Sequence, residues 1–152
     1  MKHIRLFEEY SEKKKTIVIL GLPGSGKTYL AKKIQRENPE ISYSIYDDFQ
    51  LNQALKNIGK ENQIIADGAI IERPVLINQI KRITDDSGTE LDIIYFENDP
   101  DKAYANVERR KDSGEAKPYQ RFITPEDVRN YSYLYKGALP KNAKTVPIWT
   151  GD

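Results

Sequence analysis

One octapeptide constrains this chain more than any other feature. Gly21-Leu22-Pro23-Gly24-Ser25-Gly26-Lys27-Thr28 fits the pattern G-x-x-x-x-G-K-[ST]. Its flanks are those the pattern requires. Thr16 to Leu20 is a short apolar, β-branched run that predicts a buried strand, and Tyr29-Leu30-Ala31-Lys32-Lys33-Ile34 predicts a helix leaving the turn. A strand, a glycine turn and a helix in that order aim backbone N–H groups and the positive end of a helix dipole at one point, which favours a polyphosphate. In this reading Gly21, Gly24 and Gly26 allow close backbone approach, and Lys27 reaches the terminal phosphates as a point charge. The Thr28 hydroxyl takes one place on Mg²⁺, while Leu22, Pro23, Ser25 and Tyr29 complete the nucleotide contact surface.

Composition narrows the remaining chemistry. The 152 residues are enough for one domain with its own core. With 24 Lys plus Arg against 23 Asp plus Glu, no long-range field steers the whole molecule to nucleic acid or to an anionic membrane. There is no cysteine and one histidine, so disulfide, thiolate and histidine-based metal chemistry have no material. His3 is expected to be solvated. Apolar runs such as Ile93-Ile94-Tyr95-Phe96 are too short to cross a bilayer, and the start leads into Glu8-Glu9 rather than an apolar signal core. These features predict a soluble, cytoplasmic protein.

Two regions are expected: an N-terminal helical extension over 1–15 and the main domain over 16–152. Ile4, Phe7 and Tyr10 recur at helical spacing; this stripe either covers one end of a sheet or docks a protein partner. Strands are predicted at 16–20, 43–46, 63–66, 92–96 and 145–149. The first helix ends at Asn38-Pro39, and Asp47-Asp48 is expected to cap a helix from Phe49 to about Ile58, stopped by Gly59. A helix over 73–85 presents Val75, Leu76, Ile80 and Ile83. Asp99-Pro100 opens one that buries Ala103, Tyr104 and Val107, and Thr124-Pro125 opens one running to Lys136, with Tyr131, Leu134 and Tyr135 expected in the core. Asp112 to Ile123 reads as a mobile loop. Strands alternating with helices imply an α/β fold with a parallel sheet, and ligands then bind beyond the strands' carboxyl ends.

At those ends lie carboxylates and cations. Asp47 is assigned to orienting an acceptor hydroxyl, Asp48 to capping or support. Asp67, at the end of the third strand, either holds a Mg²⁺-bound water, faces the acceptor, or closes an Asp-Gly turn. Arg109 and Arg110 either close over transferring phosphates or complement the helix dipole, and Arg73 either meets an anionic acceptor or lies on the surface.

The octapeptide, Asn38-Pro39 and Asp47-Asp48-Phe49 together resemble the kinase domain of polynucleotide 5′-hydroxyl kinases, which shows G-x-P-G-S-G-K-[ST] followed by D-D-[YF]-R. The looser likeness extends over 16–136, through Asp67, the stretch Ala105 to Arg110, and Thr124-Pro125. It implies a P-loop, nucleoside-kinase-like three-layer α/β/α fold with a five-stranded parallel sheet and a short lid. It further implies ATP and Mg²⁺, Asp47 as general base, Lys27 and Thr28 as phosphate and Mg²⁺ ligands, Arg109 as a lid arginine, and Asp67 positioning the acceptor. Gln50 stands where that family has a substrate-touching arginine, and the segment between the second and third strands is short; the wider group includes small-molecule kinases. The expected activity is transfer of the ATP γ-phosphate to a hydroxyl or phosphate acceptor, a nucleic-acid 5′-hydroxyl, a nucleotide or a metabolite. The alternatives are a nucleotide-binding regulatory module and an NTPase, although there is no Asn-Lys-x-Asp guanine-reading motif.

Overall fold

The computed structural model describes residues 13–116 and 121–150. The proposed N-terminal helix, with Ile4, Phe7 and Tyr10, lies outside the described residues except at its last positions. The chain is an α/β fold. Strand β1 (Lys15–Leu20) leads through the glycine turn to α1 (Lys27–Glu37). Then come β2 (Tyr43–Tyr46), α2 (Leu51–Asn57), β3 (Asn62–Ile65), α3 (Ala69–Glu72), α4 (Val75–Ser87), β4 (Glu90–Phe96), α5 (Pro100–Ser113), α6 (Pro125–Ala138) and β5 (Thr145–Val146). The sheet has five strands in the order β2-β3-β1-β4-β5, and every pairing is parallel.

The order follows from burial. β1 is the central strand, and Ile17 to Leu20 are buried, as the near-continuous apolar run of a strand covered on both sides requires. Its neighbour β3 contributes Ile64 and Ile65, both fully buried. Each such side chain removed from water stabilises the fold by roughly 1.5–3 kcal/mol. The chain leaves β1 toward β2 on one side and later crosses to β4 on the other, so the crevice beyond the end of β1 is the switch point of the sheet.

Two helices start where the sequence places them. The Asp99 side chain accepts from the Lys102 N–H, with Pro100 at the first helical position. Thr124 and Asp127 form a reciprocal capping box at α6. From α6 the buried Tyr135 hydroxyl donates to the Phe96 carbonyl (2.6 Å) and lies 3.1 Å from the Leu20 carbonyl, tying the helix to the ends of β4 and β1. Burial pushes this phenol well above its usual range.

Four expectations need correcting. The helix after β2 begins at Leu51 with Gln50 as its cap residue, and Asp48 does not cap it, because Phe49 takes a left-handed conformation (φ 71°) that breaks the helical path. The helix predicted over 73–85 is α4 and begins at Val75, after a break at Arg73-Pro74 that separates it from the unpredicted short α3. Val75, one residue out of phase with Leu76 and Ile80, is 64% exposed. The core face of α6 includes Tyr135, whereas Leu134 is exposed and Tyr131 half-buried. The last strand stops at Val146, since Pro147 has no N–H to extend the ladder. Among the described residues no helix is long and apolar enough to cross a membrane.

Candidate active site

The glycine turn sits at the carboxyl end of β1, anchored by Leu22, which is fully buried. The Ser25 N–H donates to the Leu22 carbonyl (3.0 Å), and the Gly26 carbonyl accepts from Leu30 (2.9 Å) to start α1. Gly24 and Gly26 have φ of 89° and 101°. A Cβ at Gly21 would lie 3.0 Å from the Phe96 side chain, and one at Gly26 would lie 2.6 Å from Trp149 Cβ. A Cβ at Gly24 would overlap the Ala103 carbonyl oxygen of α5. Three different elements therefore wall the turn, each against a glycine. α1 opens with no side-chain cap and no acidic residue in its first turn, unlike α5 and α6. The Lys27 ammonium folds back over the turn, donating to the carbonyls of Gly21 (3.0 Å) and Leu22 (3.1 Å).

A clamp holds the outer side of the turn. The Trp149 backbone N–H donates to the Ser25 carbonyl (3.0 Å). The buried Asn106 amide donates to the Gly24 carbonyl (2.8 Å) and to the Trp149 carbonyl. Arg109 donates to the Asn106 side-chain oxygen and to the Thr150 carbonyl (3.1 Å), with its guanidinium 5.5 Å from the Trp149 ring centroid. Arg110 stands 5.9 Å from the same centroid, and the Tyr29 ring 5.2 Å away, tilted by 31°. The Glu97 carboxylate accepts from the Ile148 N–H (3.1 Å) and from Lys102 (3.0 Å), which lowers its pKa: the Lys102 hydrogen bond is the larger cause.

In front of the turn lies a cavity of about 650 Å³. Pro23, Gly24, Gly26, Lys27, Thr28, Tyr29, Lys32, Arg110 and Trp149 line it from the turn, α1, α5 and the chain end, and Asp48, Phe49, Asp67, Gly68 and Glu72 line it from the tips of β2 and β3 and from α3. Ile123 and Tyr131 form another wall. Asp67 is only 3% exposed. The Asp48 carboxylate accepts from the Gly68 N–H (3.0 Å), and both this oxygen and the Lys27 ammonium would lie within 4.0 Å of a Cβ at Gly68. A hydrogen bond from Tyr131 to the Glu72 carboxylate, with burial second, pushes that phenol up to about 12.

The expected residues thus divide. Lys27, Thr28, Asp48, Asp67 and Arg110 meet at one cavity. Of the Asp47-Asp48 pair, Asp48 lines the cavity and Asp47 does not; the Asp47 N–H donates to the Gln50 side-chain oxygen (2.9 Å). Arg109 points to the clamp and Arg110 to the cavity, consistent with 100° of rotation per residue and with Asn106 one turn before Arg109. Arg73, in the break before α4, is exposed and does not line the cavity. Cavity residues with no site role expected from the sequence include Lys32, Glu72, Glu115, Ile123, Tyr131 and Trp149. Lys32 was legible as the residue four after Thr28 on one helix face. Trp149 reaches the site only through the tertiary fold.

The site and sheet together define an α/β protein with a glycine-walled turn at the switch point of an all-parallel sheet. No protein-family model matches the chain. It belongs to the same family as uncharacterized protein R277 of Acanthamoeba polyphaga mimivirus, with 33% identity over 124 residues, 76% of this chain and 88% of the viral protein. Among solved structures it is similar to APE1195, at 19% identity and a TM-score of 0.48, over 84% of this chain and 96% of that one.

Proposed function

We propose that this protein is a P-loop phosphotransferase of three-layer α/β/α type that transfers the γ-phosphate of a nucleoside triphosphate, ATP being the reference donor, to a hydroxyl. The observation that carries the reading is the turn itself. Its glycines are walled by Phe96, Ala103 and Trp149, its lysine ammonium folds over its own carbonyls, and the uncapped start of α1 faces a cavity that also holds two aspartates.

A triphosphate lying along the turn meets the N–H groups at the start of α1, and Lys27 exchanges two carbonyl partners for phosphate oxygens, a stronger, charge-assisted pairing. Trp149 and Tyr29 offer an aromatic surface beside the turn for a base, and Arg110 supplies positive charge at the same rim. Thr28 and Asp67, both with oxygen donors, line the same cavity; this pair fits Mg²⁺, which keeps most of its waters and needs one or two protein oxygens beside the phosphates. When bound, Mg²⁺ neutralises phosphate charge. Asp48 accepts the hydrogen bond of the acceptor hydroxyl and orients it for in-line attack. The acceptor oxygen bonds to the γ-phosphorus, and the bond to the β,γ-bridging oxygen breaks with its electron pair leaving on the diphosphate. The hydroxyl proton passes through Asp48 to water.

Trp149 is the sole tryptophan of the chain, so its fluorescence reports on this site directly. Titration with Mg-ATP is expected to change that fluorescence saturably, and Lys27→Ala is expected to weaken the response and to lower transfer by about 10²-fold or more. No response to any nucleoside triphosphate would overturn the reading. Saturable binding with no transfer to any hydroxyl would favour a nucleotide-binding regulatory module.

A further inference from the structure

The cavity is not uniform in charge. Its cations, Lys27, Lys32 and Arg110, come from the turn, α1 and α5, and Glu115 lines it just past α5. The tips of β2 and β3 and helix α3 supply Asp48, Asp67 and Glu72; no described lysine or arginine lines the cavity from those elements, and the Lys27 ammonium reaches to 4.0 Å from where a Cβ at Gly68 would stand. An adjoining groove shares Glu72, Ile123 and Tyr131 and continues to Asp127, adding a further carboxylate. Arg73 does not line the cavity, and residue 50 is a glutamine whose side-chain oxygen accepts from the Asp47 N–H (2.9 Å).

At this acidic end stands Phe49. Its ring is 88% exposed, it lines the cavity, and its backbone is held at φ 71°, a conformation bulky residues rarely adopt. Glycine or asparagine would fill the turn at less cost, so the ring is what the position retains.

Resting on the phosphotransferase reading above, we propose that the acceptor is a small hydroxyl compound with a planar ring and no negative charge, seated on Phe49 in the acidic end of the cavity. Its hydroxyl oxygen forms the new bond to the γ-phosphorus and its proton leaves through Asp48, with the nucleoside diphosphate as leaving group. Carboxylates at this end repel a phosphate-bearing acceptor and attract an ammonium. The apolar ring of Phe49 gives a planar acceptor a stacking face. The inference excludes nucleotides and polynucleotide ends as acceptors.

Matched probes test it. Phenylalaninol and phenyllactate carry the same ring and a hydroxyl with opposite charge; adenosine and adenosine 3′-monophosphate share a free 5′-hydroxyl and differ by a phosphate. Transfer of label from γ-labelled ATP is measured for all four and for a 5′-hydroxyl oligonucleotide, with Trp149 fluorescence following ATP separately. Phenylalaninol and adenosine are expected to outcompete their anionic counterparts. Phe49→Ala is expected to raise the acceptor KM about tenfold, the size of one lost stacking contact, with the ATP titration unchanged. Exposed Glu72 provides a second variant: Glu72→Lys is expected to shift preference toward phenyllactate. Equal or better use of the anionic probes, an unchanged acceptor KM in Phe49→Ala, or ATP binding without transfer to either uncharged or cationic probe overturns the proposal. Loss of ATP binding itself would instead remove the phosphotransferase reading beneath it.

Discussion

The two ends of the cavity are built differently. At the turn, atoms from three distant elements meet three glycines, and a buried asparagine bonds both the turn and the chain end. Little there can move without unpairing a carbonyl or creating an overlap. At the tips of β2 and β3, the Ala66 N–H donates to the Tyr46 carbonyl (2.7 Å) and the Gly68 N–H to the Asp48 carboxylate (3.0 Å), Phe49 projects into the open, and α3 is one turn long. The rigid end suits a ligand of fixed shape, such as a polyphosphate. The acidic end, with no glycine walled by a distant side chain, suits a partner that varies in shape.

The largest effect that would break this contrast is at Gly24. Gly24→Ala places a Cβ in the Ala103 carbonyl at φ 89°, so both strain and overlap oppose it. Destabilisation on the order of 3 kcal/mol or more is expected in denaturant unfolding, with nucleotide response lost. A variant as stable as the parent would mean that α5 does not wall the turn.

Asn106→Ala comes next. It removes the bonds to the Gly24 and Trp149 carbonyls and the partner of Arg109, leaving buried acceptors unpaired. A loss of about 2–3 kcal/mol is expected. Trp149 emission should shift toward that of a solvated indole as the chain end loosens. The same loss without any change in emission would separate the asparagine's packing from its clamp role.

The contrast also decides what was legible in the sequence. The turn, its flanking strand and helix, and the caps at Asp99 and Thr124 are local patterns, and the structure has them within a residue or two. That Asp48 and not Asp47 lines the cavity was not legible, because it depends on the left-handed Phe49 and on a bond from Gly68 beyond the next strand. The division between Arg109 and Arg110 required knowing that Asn106 and Thr150 occupy one side of α5. Trp149 read as the end of a strand, and only the stop at Pro147 and the bond to Ser25 bring it to the site. What escaped the sequence is of two kinds: long-range partners, as for Asp48, Arg109 and Trp149, and local backbone departures, as at Phe49 and Arg73-Pro74.

The smallest effect sharpens the comparison most, because it separates backbone from ring at the acidic end. Phe49→Ala and Phe49→Gly both remove the exposed ring, so they lose the same acceptor contact and almost no core burial. They differ at φ 71°, where alanine keeps a Cβ and its strain and glycine does not. Glycine's greater freedom in the unfolded chain offsets part of that relief. The net expectation is that Phe49→Gly is more stable than Phe49→Ala by about 1 kcal/mol, while the two share one raised acceptor KM. Paired thermal and denaturant unfolding measures the first quantity and steady-state transfer the second. A glycine variant no more stable than the alanine variant would show that residue 49 relaxes out of the left-handed region once its ring is gone. The ring's own contacts, rather than the path of the chain between β2 and α2, would then hold Phe49 at the cavity.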